Sequence, residues 1–367
     1  MKNATCKLIA DAADLRRAVT WVSRTIERRN NTPILGAALF RWDGKALNIA
    51  GTNLDIELCE TIPARGPRSR AAVALPPGAI LPALKDVSGE VEIWLHTVNG
   101  DPELVEIIAD EMTVRVRSIF LLAEDWPSIE FEAERAQNMD EAALHDALRV
   151  TIPCISKEKT RHYLNGVYFH EKKKGRGRAV SADGHRMTVH ELAGAWGCHH
   201  LIVPTQVVNV LHGTLRAGGN RQVRIETRET KIRVTLEDRT ITAKTIDGTF
   251  PDYERLFPKE DDRFGTIDCT LSHDLMRRIP SVNGSSVPVE IDPEGGQITC
   301  ELLSPWVMEI TIPFSGKGPK IGLDSRYLKE LLRVSGALRM RGTGPRDPVV
   351  LLPETPDTRF ILMPMRV

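Results

Sequence analysis

A weak internal repeat with a period of about 120 to 130 residues constrains this chain more than any other feature, because repeats decide architecture. Each of the first two copies contains two apolar, alternating stretches separated by turn residues, which predicts a β-hairpin. The stretches are residues 33–40 and 47–55 in the first copy, and residues 162–169 and 179–186 in the second. The two hairpins stay in register to within about one residue, so we read them as copies of one unit.

A helical pattern precedes each hairpin. In residues 15–28, the apolar side chains fall on one face of the predicted helix and basic ones on the opposite face. Leu15, Val19, Val22 and Ile26 form the inner face, and Arg17, Thr20, Arg24 and Arg28 form the outer one. The second copy of this helix spans residues 140–155, with Leu144, Leu148 and Ile155 inward. The third begins near Ser272, with Ser272 or Asp274 as the N-cap.

Another helix and further strands follow each hairpin. The predicted helices are residues 77–85, 204–216 and 324–334, and they lead into strands such as 90–95 and 222–226. Pro82 interrupts the first of these helices, and we expect it to kink or shorten that helix. The recurring order predicts an α+β fold with antiparallel sheets and three domains, at residues 1–129, 130–257 and 258–367.

Composition narrows the class of protein. Lys plus Arg and Asp plus Glu both number 49 in 367 residues, which argues against an indiscriminate basic coat for nucleic acid. The six cysteines have no CxxC pairing, and neither a signal peptide nor an apolar membrane span is visible. We therefore expect a soluble, cytoplasmic protein with free thiols.

Few residues suggest catalytic chemistry. No glycine motif that binds phosphate is present, and the run Cys198-His199-His200 lacks a spaced partner pair for a metal ion. Asp183, His185 and His190 form a possible acid–base cluster, but no nucleophile accompanies them. The alternative is that Asp183 binds the amides of a turn while His185 and Arg186 face a partner. We predict no catalytic residue, no metal and no cofactor.

Two segments leave their roles open. The basic turn at residues 172–178 is either a solvated tip or a nucleic-acid contact. The chain ends with methionines on both sides of Pro364, and an apolar methionine patch is a recurrent way to accept varied partner side chains. A final core strand is the alternative for this segment.

Six stretches in order resemble one family along the entire chain, the bacterial sliding clamp, or beta subunit of DNA polymerase III. They are residues 32–35, 51–57, 161–167, 182–186, 247–253 and 363–366. The resemblance implies a DNA clamp fold of three repeated domains in a ring-shaped homodimer, with sheets outside and helices lining a central hole. It implies a processivity factor that encircles duplex DNA without sequence preference, is opened by a separate clamp loader, and docks DNA polymerases and other replication and repair proteins.

The resemblance also gives roles to residues. Arg17, Arg24, Arg28, Arg29 and Tyr163 would contact DNA, chiefly through its phosphates.

Contacts of the ring interface would include Val116 and Ile279. A hydrophobic pocket for partner peptides would be formed by Leu164, Gly184, His185, Arg186, Met187, Pro251, Arg255, Leu256, Tyr327, Pro348, Ile361, Leu362, Met363, Pro364, Met365 and Arg366.

The chain departs from the family pattern at a few positions. His162 stands where the family usually has an aromatic residue, and Thr205-Gln206 stand where basic residues often occur. Ala182 and Asp324 replace a hydroxyl residue and an asparagine near the pocket. The alternative function is therefore a clamp-like scaffold that binds peptides without efficiently encircling DNA.

Overall fold

The computed structural model describes residues 3–26, 32–98, 101–109, 112–117, 123–172, 175–258, 264–279, 287–303 and 307–366. Within these ranges the fold is α+β, with short helices and antiparallel sheets. The α-helices are α1 (Ala12–Val22), α2 (Pro77–Ile80), α3 (Glu141–Thr151), α4 (Thr205–His212), α5 (His273–Arg277) and α6 (Ser325–Ser335). None of these helices has the length and apolar character required to cross a membrane.

The strands are short and follow one another through tight turns. The first 140 residues include β1 (Asn3–Asp11), β2 (Ala38–Trp42), β3 (Ala46–Thr52), β4 (Ile56–Arg65), β5 (Ala71–Leu75), β6 (Glu90–Val98), β7 (Asp101–Ala109), β8 (Met112–Arg117) and β9 (Arg135–Asp140). The middle forms β10 (Gly166–Lys172), β11 (Arg176–Ala182), β12 (Arg186–Glu191), β13 (Leu201–Pro204), β14 (Gln222–Arg228), β15 (Lys231–Leu236) and β16 (Arg239–Lys244). The last part forms β17 (Ile267–Ser272), β18 (Pro288–Asp292), β19 (Gln297–Leu303), β20 (Val307–Pro313), β21 (Gly316–Lys317), β22 (Ile321–Asp324), β23 (Ala337–Gly342), β24 (Val349–Leu352) and β25 (Thr358–Leu362).

The chain divides into two compact units. The first comprises Met1–Met139 with Arg221–Lys244, and the second comprises Asp140–Asn220 with Thr245–Val367. One sheet runs through the first unit in the order β8-β7-β6-β1-β4-β16-β15-β14-β9, with β2, β3 and β5 attached. The second unit holds a sheet in the order β13-β10-β11-β12-β25-β24-β23-β17-β21 and a smaller one in the order β20-β19-β18-β22.

Both large sheets join strands from different sequence repeats. In the first unit, β16 of the second repeat pairs with β4 of the first, with Arg239 opposite Glu60. In the second unit, β12 of the second repeat pairs with β25 of the third, with Arg186 opposite Leu362. The second repeat therefore contributes strands to both units, and each repeat depends on a neighbour to complete its hydrogen bonding.

Helix α1 is shorter than the 15–28 pattern suggested. It begins at Ala12 because the Asp11 carboxylate accepts hydrogen bonds from the amides of Ala13 and Asp14, at 2.8 and 3.1 Å. It ends at Val22, where β3 passes so closely that a Cβ on Gly51 would lie 2.6 Å from the Val22 carbonyl oxygen. The inner-face residues Leu15, Val19 and Val22 are fully buried as predicted, whereas Arg28 lies outside the described residues.

The two predicted hairpins form, but each begins later than the sequence suggested. The segments Pro33–Gly36 and Lys159–Leu164 are 3₁₀ turns, and the strands start only at Ala38 and Gly166. In the first copy, Pro33 lacks an amide donor and restricts its own φ, which suits a turn better than a central strand. The recurrence of this turn in both copies adds to the evidence for the repeat. Pro82 has the expected effect, since α2 ends at Ile80.

Candidate functional site

The second unit contains a groove of about 800 Å³ lined by apolar and charged residues. The apolar ones include Ile152, Pro153 and Ile155, which follow α3, and other lining residues come from α4, from α6 and from the turn between β11 and β12. The predicted pocket residues His185, Arg186 and Tyr327 line this groove. A cleft of this size with a few converging polar groups is suited to a short peptide or a comparably sized ligand.

The turn between β11 and β12 is organised by Asp183. Its Oδ1 atom accepts hydrogen bonds from the amides of His185 and Arg186, both at 2.9 Å. Gly184 adopts a φ of +92°, which favours glycine at this position. This arrangement matches the turn interpretation, because the carboxylate is engaged by amides. His190, the third member of the possible acid–base cluster, instead has its Nδ1 atom 2.8 Å from the Thr358 hydroxyl.

Arg186 connects this turn to α6. Its Nε atom binds Asp183 Oδ2 at 3.0 Å, and a terminal nitrogen lies 2.7 Å from Glu330 Oε2. The guanidinium also lies 4.3 Å from the centroid of the Tyr327 ring. Because the Arg186 side chain is only 8% exposed, it acts mainly as a support that holds Tyr327 at the groove.

The C-terminal segment changes character after β25. Ile361 and Leu362 are buried, at 2% and 0% exposure, whereas Met363 and Met365 are 39% and 36% exposed. The Met363 amide donates to the His185 carbonyl at 2.8 Å, and the Met365 amide donates to the Gly322 carbonyl at 2.9 Å. Both interpretations of this segment therefore apply in part, since it ends a core strand and then presents two methionines to solvent.

The other predicted pocket residues separate into two groups by burial. Leu164 and Met187 pack in a core cluster with Ile361, so these side chains lie beneath the surface rather than on it. The exposed or half-exposed members are Gly184, Pro251, Arg255, Leu256, Pro348, Pro364 and Arg366. Among the described residues, the large apolar side chains that are exposed are Leu54, Leu256, Met363 and Met365. Three of these four belong to the predicted pocket, and exposed large apolar side chains are typical of interaction surfaces when they form a patch.

The first unit contains a small basic depression beside α1. It measures about 330 Å³ and is lined by Ala13, Arg16, Arg17, Thr20, Trp21, Arg24 and Arg239. Arg17 is already engaged, because its Nε atom binds Glu60 Oε1 at 2.8 Å and a terminal nitrogen binds Asp14 Oδ1 at 2.5 Å. Arg24 lies beyond the end of α1, is exposed, and has no ion pair with any residue that the structure describes. Of the two predicted DNA contacts described in this unit, Arg24 is therefore the one whose charge is not offset by a described carboxylate.

The remaining predicted DNA contacts are placed differently. Arg28 and Arg29 lie outside the described residues. Tyr163 is half-buried at the end of a 3₁₀ turn, and its ring meets His162 edge-on with centroids 5.8 Å apart.

In the basic turn at residues 172–178, Arg178 is neither a solvated tip residue nor an exposed contact. It is buried, with its Nε atom 2.7 Å from Glu191 Oε1.

The two predicted interface residues have different environments. Val116 is half-exposed on β8, which stands at one end of the sheet of the first unit. Ile279 is 2% exposed and packs in the core of the second unit with residues such as Met276 and Leu328. This burial leaves Ile279 little exposed apolar surface, and its contact at the ring interface stays a prediction.

The described residues contain no group of three or more His, Cys, Asp or Glu side chains that would hold a metal ion. In the run Cys198-His199-His200, Cys198 is buried, the His199 carbonyl accepts from Trp196 Nε1 at 2.8 Å, and His200 Nε2 accepts from the Glu171 amide at 3.3 Å.

Glu60 and Glu330 hold predicted site residues in place, Arg17 and Arg186 respectively, and neither was predicted from the sequence. Glu60 has no exposed surface and lies in the buried phase of β4, between Leu58 and Ile62. A carboxylate at a position where an alternating strand otherwise buries apolar side chains predicts a cation partner that offsets its charge. Glu330 follows Tyr327 by three residues in α6, so the helical period alone places them on one face.

Comparisons with known proteins identify the same family by domain models and by relatives of nearly full length. The family model for the N-terminal domain of the DNA polymerase III beta subunit matches residues 6–130, and the model for its central domain matches residues 138–252. A beta sliding clamp of Caulobacter vibrioides is 28% identical over 98% of this chain and 100% of its own length. The beta sliding clamp of Escherichia coli K12 is 25% identical over the same shares.

Solved structures give the same result. The sliding clamp of Bartonella birtlesii, crystallised with griselimycin, has a TM-score of 0.87 at 25% identity and covers 99% of this chain and 100% of its own. A Caulobacter crescentus beta sliding clamp has a TM-score of 0.86 at 26% identity, with the same coverage. Two adjacent domain models match the chain, and both the sequence relatives and the solved structures match it over nearly its full length. This chain therefore belongs to the family of bacterial DNA polymerase III beta subunits, the beta sliding clamps.

Proposed function

We propose that this chain is a DNA sliding clamp, a non-catalytic processivity factor that encircles and slides on duplex DNA. The observation that carries the proposal is the match of two consecutive beta-subunit domains, at residues 6–130 and 138–252, within relatives that cover the chain almost end to end. A processivity factor needs no reacting groups, which fits a site built of supports and apolar side chains.

Strand pairing across the repeats supports this function. The β4–β16 and β12–β25 pairs each join two repeats edge to edge, as a chain of successive clamp domains requires. The three domains proposed from the repeat are residues 1–129, 130–257 and 258–367. The exposed Arg24 and the half-buried Tyr163 are the DNA contacts that we favour, because Arg17 is held by carboxylates.

The protein operates as a homodimeric ring opened by a clamp loader. Val116 lies on β8, at the edge of its sheet, where unpaired backbone groups are available to a second copy of the chain. Strand pairing at this edge therefore supplies the interface, and Ile279 supports it only from within the core.

Partner proteins bind through short, largely apolar peptides in the second unit. The exposed Leu256, Met363 and Met365, together with the groove beside His185 and Tyr327, form the partner surface. Apolar contacts would supply most of the affinity, at about 25 cal/mol per Å² buried before ordering costs. DNA polymerases and other replication and repair proteins are the expected partners.

Retention on DNA tests topological linkage directly. The full-length protein, loaded by a bacterial clamp loader onto closed circular DNA, is expected to stay bound through gel filtration and to be lost once the circle is linearised. Equal loss from circular and linear DNA would overturn the sliding clamp. Peptide binding by a chain that sediments as a monomer at micromolar concentration would favour the alternative scaffold function.

A further inference from the structure

A hydrogen-bonded network lies behind the partner surface in the second unit. Tyr253 is 5% exposed, and its hydroxyl oxygen accepts a hydrogen bond from a terminal nitrogen of Arg178 at 2.9 Å. The same hydroxyl lies 2.9 Å from His170 Nε2. Arg178 and His170 face each other on neighbouring strands, since they are paired residues of β11 and β10.

The proton positions in this network follow from its partners. His170 Nδ1 lies 3.1 Å from the carbonyl oxygen of Glu171, which can only accept, so Nδ1 carries the hydrogen. Nε2 of the neutral ring is then the acceptor for the Tyr253 hydroxyl hydrogen, while the Tyr253 oxygen accepts from Arg178. A proton added to Nε2 would take away the acceptor of the Tyr253 hydroxyl hydrogen, which would have to rotate away from the ring. The network is therefore complete only while His170 is neutral.

Tyr253 is linked by short connections to the partner surface. Its carbonyl accepts a hydrogen bond from the Leu256 amide at 3.0 Å, and Leu256 is 41% exposed. The adjacent Glu254 is held by Arg178 at 2.8 Å and lies 3.6 Å from Lys172 Nζ. One buried arginine thus fixes both the ring and the carboxylate at the start of the turn that presents Arg255 and Leu256.

Several groups set the ionisation of His170. The Tyr168 ring stacks on it at 4.7 Å, and the His200 ring meets it edge-on at 5.9 Å. Burial is the main cause that lowers the pKa of His170, and the neighbouring His200 and Arg178 act in the same direction, while the Glu171 carbonyl and the Glu254 carboxylate act in the opposite one. The neutral ring is therefore the resting form near pH 7.

We propose that His170, Tyr253 and Arg178 are positioning residues of the partner surface, which hold Leu256 in its binding position only while His170 is neutral. The proposal rests on the function proposed above, because it concerns the same surface. Acidification would then weaken partner binding by releasing the turn at residues 253–256, which carries Leu256.

The test measures the affinity of the full-length chain for a fluorescein-labelled clamp-binding peptide of a bacterial replicative DNA polymerase. Fluorescence anisotropy is recorded across a pH series from about 7.5 to about 5, bracketing the ordinary histidine pKa. Tyr253→Phe removes the hydrogen bonds of the hydroxyl to Arg178 and His170 and is expected to weaken binding about fivefold at the upper pH. Tyr168→Phe, which keeps the stacked ring and lies outside the network, is the matched control.

The pH profile separates positioning from a merely structural role. The wild-type chain and Tyr168→Phe are expected to lose affinity on acidification, and His170→Gln, whose amide can accept the hydroxyl hydrogen but does not titrate, is expected to lose most of that pH dependence. His185 remains in every variant, so its contribution to binding cancels in the comparison. Equal pH profiles for wild type and His170→Gln would overturn the proposal while leaving the partner surface intact. Absence of peptide binding at every pH would overturn the partner surface itself, and the proposal with it.

Discussion

Arg17 and Glu60 form an ion pair that ties α1 to β4, with Arg17 Nε 2.8 Å from Glu60 Oε1 and the Arg17 side chain 45% exposed. Glu60 is fully buried, and its second oxygen binds Arg239 Nε of β16 at 3.0 Å. Arg17, which the helical pattern places on the basic face and the family resemblance assigns to DNA contact, thus also binds the carboxylate that joins strands of two sequence repeats. Its structural role and its predicted role in DNA binding can be separated by experiment.

Replacing Glu60 by Gln is expected to lower the free energy of unfolding by about 2 kcal/mol, because two arginines lose their buried counter-charge. Both arginines can reach solvent in part, which keeps the loss below that of a fully enclosed pair. Chemical denaturation measures the change. Glu92→Gln, at a pair with Lys7 near the surface, is the control and should leave stability nearly unchanged. Equal stability of the Glu60→Gln and wild-type chains would contradict a structural role for this pair.

Replacing Arg24 by Ala is expected to weaken DNA retention without a loss of stability, since Arg24 is exposed and has no ion pair among the described residues. Removal of one phosphate contact should reduce the slope of log affinity against log salt by about 1. Arg17→Ala should instead lower the free energy of unfolding clearly, because Arg17 pairs with Glu60 and Asp14. Measurement of DNA binding as a function of salt checks both variants, and a normal slope for Arg24→Ala would exclude it from the DNA contact.

Acidification is expected to destabilise the second unit through His190. Burial is the main cause that lowers the pKa of His190, whose Nδ1 atom lies 2.8 Å from the Thr358 hydroxyl. The folded pKa of His190 lies below the unfolded value of about 6.5. Its contribution to stability is therefore fully present above about pH 6.5 and is lost as the pH falls from there through the folded pKa.

Thermal unfolding between about pH 7.5 and 5 tests this dependence. His190→Gln should show a smaller decrease in melting temperature on acidification than the wild-type chain, whereas His162→Gln, at an exposed site, should behave as wild type. A wild-type slope for His190→Gln would assign the acid sensitivity to other groups.

The end of the chain should divide into a core part and a binding part. Leu362→Ala is expected to lower the free energy of unfolding by about 2 to 5 kcal/mol, because Leu362 is completely buried. Met363→Ala with Met365→Ala should weaken polymerase-peptide binding about fivefold or more while leaving the assembly intact, since both methionines are exposed. Calorimetric titration and sedimentation check the two effects, and unchanged peptide affinity would show that the partner surface lies elsewhere.

Local features were predictable because they depend on neighbouring residues. The inner face of α1, the Ser272 cap, whose hydroxyl accepts from the Leu275 amide at 3.1 Å, and the Asp183 turn all follow patterns within a few positions. The interruption at Pro82 belongs to the same class. Helix and strand bounds were less predictable, as α1 and the two hairpins show, because a passing strand or a short turn ends an element before its apolar pattern ends.

By itself the sequence determined the repeat, the α+β class, the family resemblance and which side chains were candidates for function. Only the tertiary structure decided which candidates are accessible: Met363 and Leu256 are exposed, Leu362 and Ile279 are core residues, and Arg17 is held by Glu60. It also decided that strands of one repeat pair with strands of another. The physical reason is that burial and ion pairing are set by residues distant in the chain, and periodicity along one segment contains no information about which distant segment will cover it.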